Sequence, residues 1–409
     1  MTSSAYIIDG VRTPRGEGKP TGGLHHLHPQ ELLAQVLNAL GDRAKIPLED
    51  VEDVIVGNGS NDGDHGQNIA RMSVLAAGWP VEIPGTTVNR FCGSGQQAVI
   101  FGAQGVASGF QDVVVAGGVE STSRWLPPAG TLGAGNDALR RKHPMIHQGV
   151  AADLIASLEG FSRTELDEFA VMSQRRAGAA VRENRFARSL IEVHNQDGTL
   201  ALAVDEHPRE ATTVEVLAKL KPSFTAIGAS VDNVLGRSQD EIALELYPDA
   251  GEIQHHHHAG NSSGRVDGAA AIMLASSRYT EAHGITPRAR IVSVAVTAAE
   301  PVIMLTAPTS ASRLCLERAN MTVDDIDLWE INEAFATVPL KTIRDLGIES
   351  ERVNVNGGAI ALGHPIGASG AILIQTALDE LERRDLNTAL ITLCTGGGMA
   401  TATVIERCH

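Results

Sequence analysis

VNRFCGSGQQAV, residues 88–99, joins an extended run to a helical run through one cysteine and two glycines. The residues before Cys92 are β-prone and those after Gly95 can propagate a helix, so the pattern predicts a cysteine at a helix N-terminus. Unpaired N–H groups and the helix dipole stabilise an anion there, which favours a thiolate and can hold an acyl oxyanion. Most isolated cysteines are small buried core residues, but the glycines and the polar pair Asn89–Arg90 favour a nucleophile here.

Two further segments have the same form, in which a glycine-rich turn adjoins an apolar run. NGGAIALGHPIGASGA, residues 356–371, carries His364, and ALITLCTGGGMA, residues 389–400, carries Cys394. A parallel α/β sheet presents reactive groups at the carboxyl ends of its strands, where such turns lie. His364 could act as a general base toward a thiol, although a histidine on a loop is more often structural. The N–H groups after Cys394 could form an oxyanion pocket, and the three segments together indicate thioester chemistry.

Asn332, in EINEAFA, is a third kind of candidate. Its side-chain amide could hold a water molecule or a substrate oxygen, and the alternative is a helix N-cap. The other two cysteines carry less information. Cys315 lies inside a helical repeat and is interpreted as a core residue, and Cys408 in the tail is interpreted as incidental.

Composition restricts the class of protein. A chain of 409 residues is long for one core and indicates two or three domains. Its net charge of −16 argues against nucleic acid or an anionic membrane as a partner. The four cysteines follow no disulfide-framework spacing, the N-terminus shows no signal-peptide core, and no apolar run approaches the roughly 20 residues that span a bilayer. We therefore expect a cytoplasmic protein with reduced thiols.

The order of elements repeats along the chain. Short β-type runs alternate with helical runs from Ala5 onward, and the same order recurs from Ala289. This alternation predicts a mostly parallel sheet with helices on its faces, built twice. The glycine loop after Val88 then corresponds to the glycine loop after Val355, so Cys92 and His364 would face each other near a pseudo-twofold interface.

These segments together resemble the thiolase family, and the resemblance covers nearly the whole chain. NEAFA is similar to a fourth active-site block of that family, and the supporting segments VRTPRG, GQNIARM, AGGVESTSR, LAKLKPSF and AGNSSGRVDGAAA follow in the family's order. The resemblance implies an α/β fold in which two duplicated βαβαβαββ halves form a five-layered α-β-α-β-α core with an inserted loop domain. The expected divisions are an N-terminal half at 1–122, the loop domain at 123–258, a return to the first half at 259–277, and a C-terminal half at 278–409.

The resemblance also implies a two-step, ping-pong acyl transfer. Cys92, activated by His364, would take the acyl group from a 3-ketoacyl-CoA. Cys394 would protonate the departing acetyl-CoA enolate, or deprotonate acetyl-CoA in the reverse Claisen condensation. One oxyanion hole would come from His364 with a water molecule held by Asn332, and a second from the backbone N–H groups of Cys92 and Gly396.

Coenzyme A is implied as a co-substrate, with no permanently bound cofactor. The family pattern maps its contacts onto His147, Lys221, Ser263, Ala334 and Phe335. The partners implied are therefore acyl-CoA and CoA, with no nucleic acid and no membrane, and the assembly implied is a homodimer or a homotetramer.

Departures from the family pattern concern the acyl group. Gln148 stands where methionine is common, and Met304–Pro308 is bulkier than the usual Met-Gly-x-Gly-Pro. Residues 225–258 form an insertion that could cover the acyl site. It ends in four histidines, but successive side chains of an extended run point to opposite faces, so we expect no metal site there. We expect degradation of ketoacyl-CoA chains rather than action on acetoacetyl-CoA alone.

Two rival functions remain open at this point. A decarboxylating condensing enzyme of the ketosynthase type could share the fold, but Cys394 and the NEAFA block argue against it because that route needs no base to deprotonate acetyl-CoA. A catalytically silent acyl-CoA-binding or lipid-transfer relative is the other, and the retention of all four reactive positions argues against it.

Overall fold

The structure is a computed structural model that describes residues 4–124 and 132–409. Its strands, β1 to β12 in chain order, are Ala5–Arg12, Gly16–Glu17, Asp53–Gly57, Gly85–Val88, Val113–Ser121, Val193–His194, Leu200–Leu202, Val266–Ser276, Ala289–Ala298, Leu328–Ile331, Thr388–Thr395 and Met399–Arg407. Its helices, α1 to α14, are Pro29–Ala44, Ile69–Ala76, Ser94–Ser108, Asp137–Lys142, Gln148–Glu159, Arg163–Arg182, Val214–Leu217, Thr225–Gly228, Gln239–Leu246, Ser277–His283, Ala307–Ala319, Thr337–Leu346, Ala359–Leu362 and Ser369–Arg384.

The main strands are hydrogen-bonded in the order β10-β11-β12-β9-β1-β8-β5-β3-β4, and β2 pairs with β8. β3 pairs parallel with β4 and with β5, and β10 pairs parallel with β11. The pairs β1–β8, β1–β9, β5–β8, β9–β12 and β11–β12 are antiparallel. The prediction of a mostly parallel sheet is therefore wrong. Each half closes with a strand that runs against its neighbours, because β12 returns from β11 through a tight turn and β8 lies between β1 and β5.

The duplication predicted from the sequence is confirmed by the strand order. From the centre outward, the first half runs β1-β8-β5-β3-β4 and the second runs β9-β12-β11-β10. A parallel bridge between Trp329 and Val353 occupies in the second half the place that β4 has in the first. α3 and α14 occupy equivalent positions, since each follows the loop that carries a candidate catalytic residue.

Packing of the apolar residues gives the five layers. α1 and α2 pack on one face of the first-half strands, and α11 and α12 pack on the outer face of the second-half strands. α3 and α14 lie in the middle, in one cluster with residues from both halves. Strand β8 shows why, because its odd residues 269–275 belong to the outer cluster and its even residues 270–274 to the middle one.

The chain between β5 and β8 carries the helices α4 to α9. α6 begins with a capping box in which Ser162 and Glu165 bond each other's backbone N–H groups. α5 and α9 belong to an apolar cluster that also contains Met304, Phe335 and Cys394 of the second half. This segment between β5 and β8 thus packs beside the carboxyl end of β11. Within the described residues, no helix combines the length and the apolar character needed to cross a bilayer.

Candidate active site

Cys92 lies in a tight turn between β4 and α3. Phe91 before it has a φ of 49°, in the left-handed region that non-glycine residues seldom adopt. The hydroxyl of Ser94 holds this turn, because it accepts a hydrogen bond of 2.9 Å from the N–H of Arg90 and donates one of 2.6 Å to the carbonyl oxygen of Phe91. The predicted position of Cys92 just before a helix is confirmed, since α3 begins at Ser94.

The Cys92 sulfur meets the turn that follows β11. The N–H groups of Gly396 and of Cys92 itself are directed at the sulfur, and both lower the pKa of the thiol. Burial outweighs them and raises the pKa of Cys92 to about 11. The expectation that the helix start favours a thiolate is therefore wrong for the free enzyme. The thiol is neutral near pH 7 and needs a base when it reacts.

Cys394 lies beside Cys92 at the end of β11. It is buried, and burial followed by the nearby Cys92 raises the pKa of its thiol well above the usual range. Both cysteines are free, so two protonated thiols lie side by side here. The predicted meeting of Cys92, Cys394 and Gly396 is present in the structure.

His364 lies in the loop between α13 and α14, and its N–H donates to the carbonyl oxygen of Gly264 at 2.8 Å. Its Nδ1 lies 2.5 Å from Oγ of Ser369, whose hydroxyl donates to the carbonyl oxygen of Pro365 at 2.9 Å. Because that hydroxyl has one hydrogen, Nδ1 of His364 must be the donor and Nε2 the atom with the free lone pair. Burial, and then the charge of Arg15, lowers the pKa of His364 to about 4. The imidazole is therefore neutral and ready to accept a proton on Nε2.

Asn332 lies next to His364, with its Nδ2 3.5 Å from Nε2 of the imidazole. Its N–H donates to the carbonyl oxygen of Thr392 at 3.0 Å, which fixes it to β11. The helix N-cap alternative is excluded, because the next helix, α12, begins at Thr337 and its N-cap position is occupied by Ala336. The adjacent Glu333 accepts hydrogen bonds from Ser173, Asn354 and Ile360 and holds this block in place.

The histidine loop touches the start of α3 through backbone atoms. A Cβ added to Gly95 would lie 2.5 Å from the carbonyl oxygen of Gly367, and a Cβ added to Gly118 would lie 1.9 Å from the same oxygen. Both positions therefore need glycine for steric reasons. The contact brings the loop of His364 against the helix of Cys92, as the predicted pseudo-twofold relation requires.

Two of the residues predicted to contact CoA, His147 and Phe335, form an aromatic row with Phe224, which the sequence did not single out. The rings of His147 and Phe224 are 5.4 Å apart, and those of Phe224 and Phe335 are 5.8 Å apart. Ala334 and Phe335 are buried in one cluster with Cys394, and the carbonyl oxygen of Ala334 accepts a hydrogen bond of 3.0 Å from Ser263. The row leads from the partly exposed His147 toward the pocket of the two thiols.

The remaining predicted residues differ in their environment. Met304 is 3% exposed, has a φ of 52°, and belongs to the same apolar cluster as Cys394. Gln148 is exposed at the first position of α5, and Lys221 is exposed three residues before Phe224. Neither of these two side chains is part of the buried pocket.

The histidines at 255–258 are bound by carboxylates of α5 and α6. Asp153 accepts from ring nitrogens of His255 and His257 at 2.8 and 2.7 Å, and Asp167 bonds Nε2 of His258 at 2.9 Å. They fasten the end of the insertion to the helices beneath it. Among residues 4–124 and 132–409, no group of three or more histidine, cysteine and carboxylate side chains is arranged to hold a metal ion.

Two residues at the site were not predicted. Ser369 orients the imidazole, and the signal was present in GHPIGASGA, because a hydroxyl at the first turn of a helix can reach back to the loop before it. Phe224 joins the aromatic row, and it ends the LAKLKPSF segment, in which only Lys221 was predicted to contact CoA.

Comparison with known proteins decides the family. The thiolase N-terminal domain profile matches residues 5–232, and the thiolase C-terminal domain profile matches residues 285–407. The chain belongs to the thiolase family. It is 40% identical to the steroid 3-ketoacyl-CoA thiolase of Mycobacterium tuberculosis, over 100% of this chain and 95% of that protein. It is 37% identical to a beta-ketoadipyl-CoA thiolase of Acinetobacter baylyi, over 98% and 99% of the two chains.

The fold agrees with that membership. The crystal structure of the Bacillus anthracis acetyl-CoA acetyltransferase superimposes with a TM-score of 0.84 at 32% identity, covering 100% of this thiolase and 99% of that chain. This thiolase is therefore an acyltransferase with coenzyme A as co-substrate. It catalyses thiolytic cleavage of 3-ketoacyl-CoA, or the reverse Claisen condensation, by two-step acyl transfer.

Proposed function

We propose that Cys92 is the acyl-accepting nucleophile of this thiolase and that His364, Cys394 and Asn332 complete its catalytic machinery. The observation that carries the proposal is the meeting of two protonated thiols with the Gly396 N–H directed at one sulfur. A neutral imidazole whose Nε2 carries the lone pair, with Nδ2 of Asn332 3.5 Å away, lies in the loop packed against the same helix start. These are a nucleophile, an acid and a base in the protonation states that the first step requires.

In the first step, Nε2 of His364 takes the proton of Cys92 as the sulfur attacks the 3-keto carbon. Nε2–H of the imidazolium and a water molecule held by Asn332 are proposed to hold the thioester oxygen of the acetyl-CoA enolate as it forms. The bond between C2 and C3 then breaks, and Cys394 gives its proton to C2, which releases acetyl-CoA. The acyl group remains on Cys92, and Cys394 is left as a thiolate.

In the second step, the Cys394 thiolate takes the proton of the incoming CoA thiol. The CoA sulfur attacks the acyl carbon on Cys92, and the N–H groups of Cys92 and Gly396 hold the tetrahedral oxyanion. The Cys92–acyl bond breaks, and His364 returns its proton to the sulfur. Both cysteines end in their starting protonation states, so the cycle needs no reagent other than the 3-ketoacyl-CoA and CoA.

CoA is proposed to lie along the aromatic row, with His147 and Phe224 near the surface and Ala334, Phe335 and Ser263 nearer the thiols. Phe335 bridges the two regions because its ring contacts Phe224 and its side chain belongs to the cluster of Cys394. The exposed ammonium of Lys221 is proposed to meet a CoA phosphate at the outer end.

The acyl group is proposed to be apolar and bulky, and the reaction to serve degradation. Met304, Leu305 and Ile146 share the apolar cluster of Cys394 with Ile242 of the insertion, and this lining favours a hydrocarbon over a free carboxylate. The relative named for steroid 3-ketoacyl-CoA agrees better with this lining than the one named for beta-ketoadipyl-CoA. Gln148 is proposed to border the pocket entrance.

The test follows the loss of 3-ketoacyl-CoA absorbance on addition of free CoA. Cys92→Ala is expected to abolish the reaction, whereas Cys408→Ala, at a partly exposed tail position, is expected to retain it. Activity that survives Cys92→Ala would reject Cys92 as the nucleophile. Apolar substrates of increasing size should be cleaved with higher kcat/KM than 3-ketoadipyl-CoA, and the opposite order would reject the proposed acyl class.

We further propose a homodimer formed through the free edge of β4. Within the described residues β4 pairs with β3 alone, and the nearby side chains of Leu75, Val81 and Phe101 are 42%, 65% and 41% exposed. An open strand edge beside apolar side chains favours pairing with a second copy. Light scattering tests this, since Val81→Asp is expected to lower the mass to that of a monomer.

The division of the chain and its location in the cell complete the proposal. We propose the units 1–122, 123–258, 259–277 and 278–409, and limited proteolysis is expected to cut first near their boundaries.

The location proposed is the cytoplasm, where four free thiols stay reduced, and cell fractionation tests it.

A further inference from the structure

Glu120 is a buried carboxylate that joins three segments around the candidate active site. It lies on β5 and is 1% exposed. Its Oε2 accepts hydrogen bonds of 2.9 Å from the N–H of Gly59 and from the N–H of Gly367, and its Oε1 accepts one from the hydroxyl of Ser60. Gly59 and Ser60 follow β3, whereas Gly367 lies three residues after His364. One side chain thus connects the first half of the fold to the histidine loop of the second.

The three partners of Glu120 are all donors, which is the arrangement of an ionised carboxylate. Burial raises the pKa of Glu120, and the bonds from Ser60, Gly59 and Gly367 oppose that rise. The carboxylate also lies close enough to Cys92 for its charge to raise the pKa of the thiol. Glu120 is therefore near both the nucleophile and the loop that carries the base.

The backbone contact of Gly367, which lies beside Glu120, leaves no room for a side chain. The carbonyl oxygen of Gly367 fits against Gly95 and Gly118, where no Cβ can be accommodated. Backbone packs on backbone at Gly367, so at this point the loop is positioned by its hydrogen bonds, while the side chains of Pro365 and Ile366 pack on Gly268 and Gly59 beside it. Glu120 supplies one of them, to the N–H of Gly367, and the same oxygen is held in place by the N–H of Gly59.

We propose that Glu120 is a positioning residue, which fixes the His364 loop against the start of α3 so that the imidazole and the Cys92 thiol stay aligned. The proposal rests on the proposed roles of His364 and Cys92. A small misplacement of catalytic groups can cost about 100-fold in rate, even when substrate binding is unchanged. Glu120 acts through His364 and transfers no proton itself.

Two variants separate the reach of this side chain from its charge. Glu120→Gln keeps the length, and its oxygen can still accept from Gly59 and Gly367 while its amide donates to Ser60. Glu120→Asp keeps the charge but draws the carboxylate back by one methylene. Positioning predicts a kcat within about fivefold of wild type for Gln and about 100-fold lower for Asp, with KM for CoA unchanged within about threefold in both.

Asp267→Asn is the matched control. Asp267 is also a buried carboxylate, on the neighbouring strand β8, and it accepts from the N–H and hydroxyl of Ser123 instead of the histidine loop. Its variant is expected to keep the kcat of wild type. Melting curves confirm that each variant is folded, and the rate of Cys92 alkylation at pH 7 is expected to fall with kcat in Glu120→Asp.

Several results would overturn the proposal. These are a Gln variant as slow as Asp, an Asp variant as fast as wild type, or a loss of kcat in the Asp267 control equal to that in Glu120→Asp. Should Glu120→Asp not fold, Ser60→Ala decides, with a kcat about fivefold lower expected and an unchanged kcat rejecting the proposal. Failure of the proposed function is seen separately, as activity that survives Cys92→Ala or His364→Ala.

Discussion

Nδ1 of His364 lies 2.5 Å from Oγ of Ser369, and that hydroxyl is itself committed to the carbonyl oxygen of Pro365. The chain of bonds leaves one tautomer of the imidazole, in which Nε2 can accept a proton. A serine in the first turn of α14 thereby determines which nitrogen of the candidate base is available.

Replacement of Ser369 should lower catalysis without unfolding the protein. In Ser369→Ala the imidazole can adopt the other tautomer, so we expect kcat to fall by about 10-fold to 100-fold while KM for CoA stays near wild type. Steady-state thiolysis measures both. Thr376→Ala is the matched control, because Thr376 is a buried hydroxyl of the same helix that bonds a carbonyl four residues earlier, at Ile372. Equal losses in the two variants would contradict a role in orienting His364.

Alkylation of Cys92 should report a protonated thiol. Burial raises its pKa to about 11, so the labelling rate with iodoacetamide is expected to rise about tenfold per pH unit from pH 7 to pH 9. Mass spectrometry of the peptide containing Cys92 gives the rate, and Cys92→Ser identifies the signal. A labelling rate that levels off below pH 8 would indicate that Cys92 is a thiolate in the free enzyme, and would contradict a protonated thiol at this position.

Phe224 should contribute to CoA binding more than to chemistry. Its ring lies between His147 and Phe335, and losing two aromatic contacts is worth about 1.4 kcal/mol, or tenfold in affinity. Phe224→Ala is expected to raise KM for CoA about tenfold and to leave kcat within about threefold. Phe110→Ala provides the comparison, because that ring is 90% exposed. A loss confined to kcat would place Phe224 outside the CoA site.

His65 should make the stability of the fold depend on pH in the acid range. It is 1% exposed, its Nε2 accepts from the N–H of Ser121 at 2.8 Å, and burial lowers its pKa to about 4. Between pH 6.5 and pH 4 the unfolded chain binds a proton that the folded chain does not, so the folded state loses stability as the pH falls. From pH 7 to pH 4 this loss is about 3 kcal/mol.

The measurement compares urea unfolding of wild type and His65→Gln at several pH values. Between pH 7 and pH 4, wild type should lose about 3 kcal/mol more free energy of unfolding than His65→Gln. His26→Gln, at an exposed position, should run parallel to wild type. Parallel curves for His65→Gln as well would show that His65 is not the group responsible.

Local periodicity is enough to predict a helix such as α1. Leu32, Leu33, Val36, Leu37 and Leu40 recur at helical spacing, and all five are buried on one face of α1. Strand direction could not be obtained in the same way. β8 is separated from β5 in the sequence by the whole segment that carries α4 to α9. Its antiparallel position between β1 and β5 depends on the path of that segment and not on the alternation of residues within β8.

The candidate reactive residues could be singled out from the sequence because glycines surround them. Cys92, His364 and Cys394 each stand at a glycine turn, where side chains of ordinary size are scarce. Ser369 and Glu120 hold their partners through hydrogen bonds. The position of Ser369 in the first turn of a helix was a usable signal, whereas nothing in the sequence around Glu120 distinguishes it from the end of a strand. The pKa of Cys92 was also beyond prediction, because burial of the sulfur is set by residues far apart in the chain.

The backbone contact at Gly367 has a consequence for how this enzyme can change. Neither Gly95 nor Gly118 can gain a side chain without moving the opposing main chain. We therefore expect single substitutions at these two positions to be rejected during evolution. Among the described residues between β5 and β8, Gly149, Gly178 and Gly228 face side chains, which can move more readily than backbone, and this part of the chain borders the proposed acyl site. New substrates should therefore be acquired by lengthening or recomposing that part of the chain, while the backbone contact at Gly367 is inherited intact.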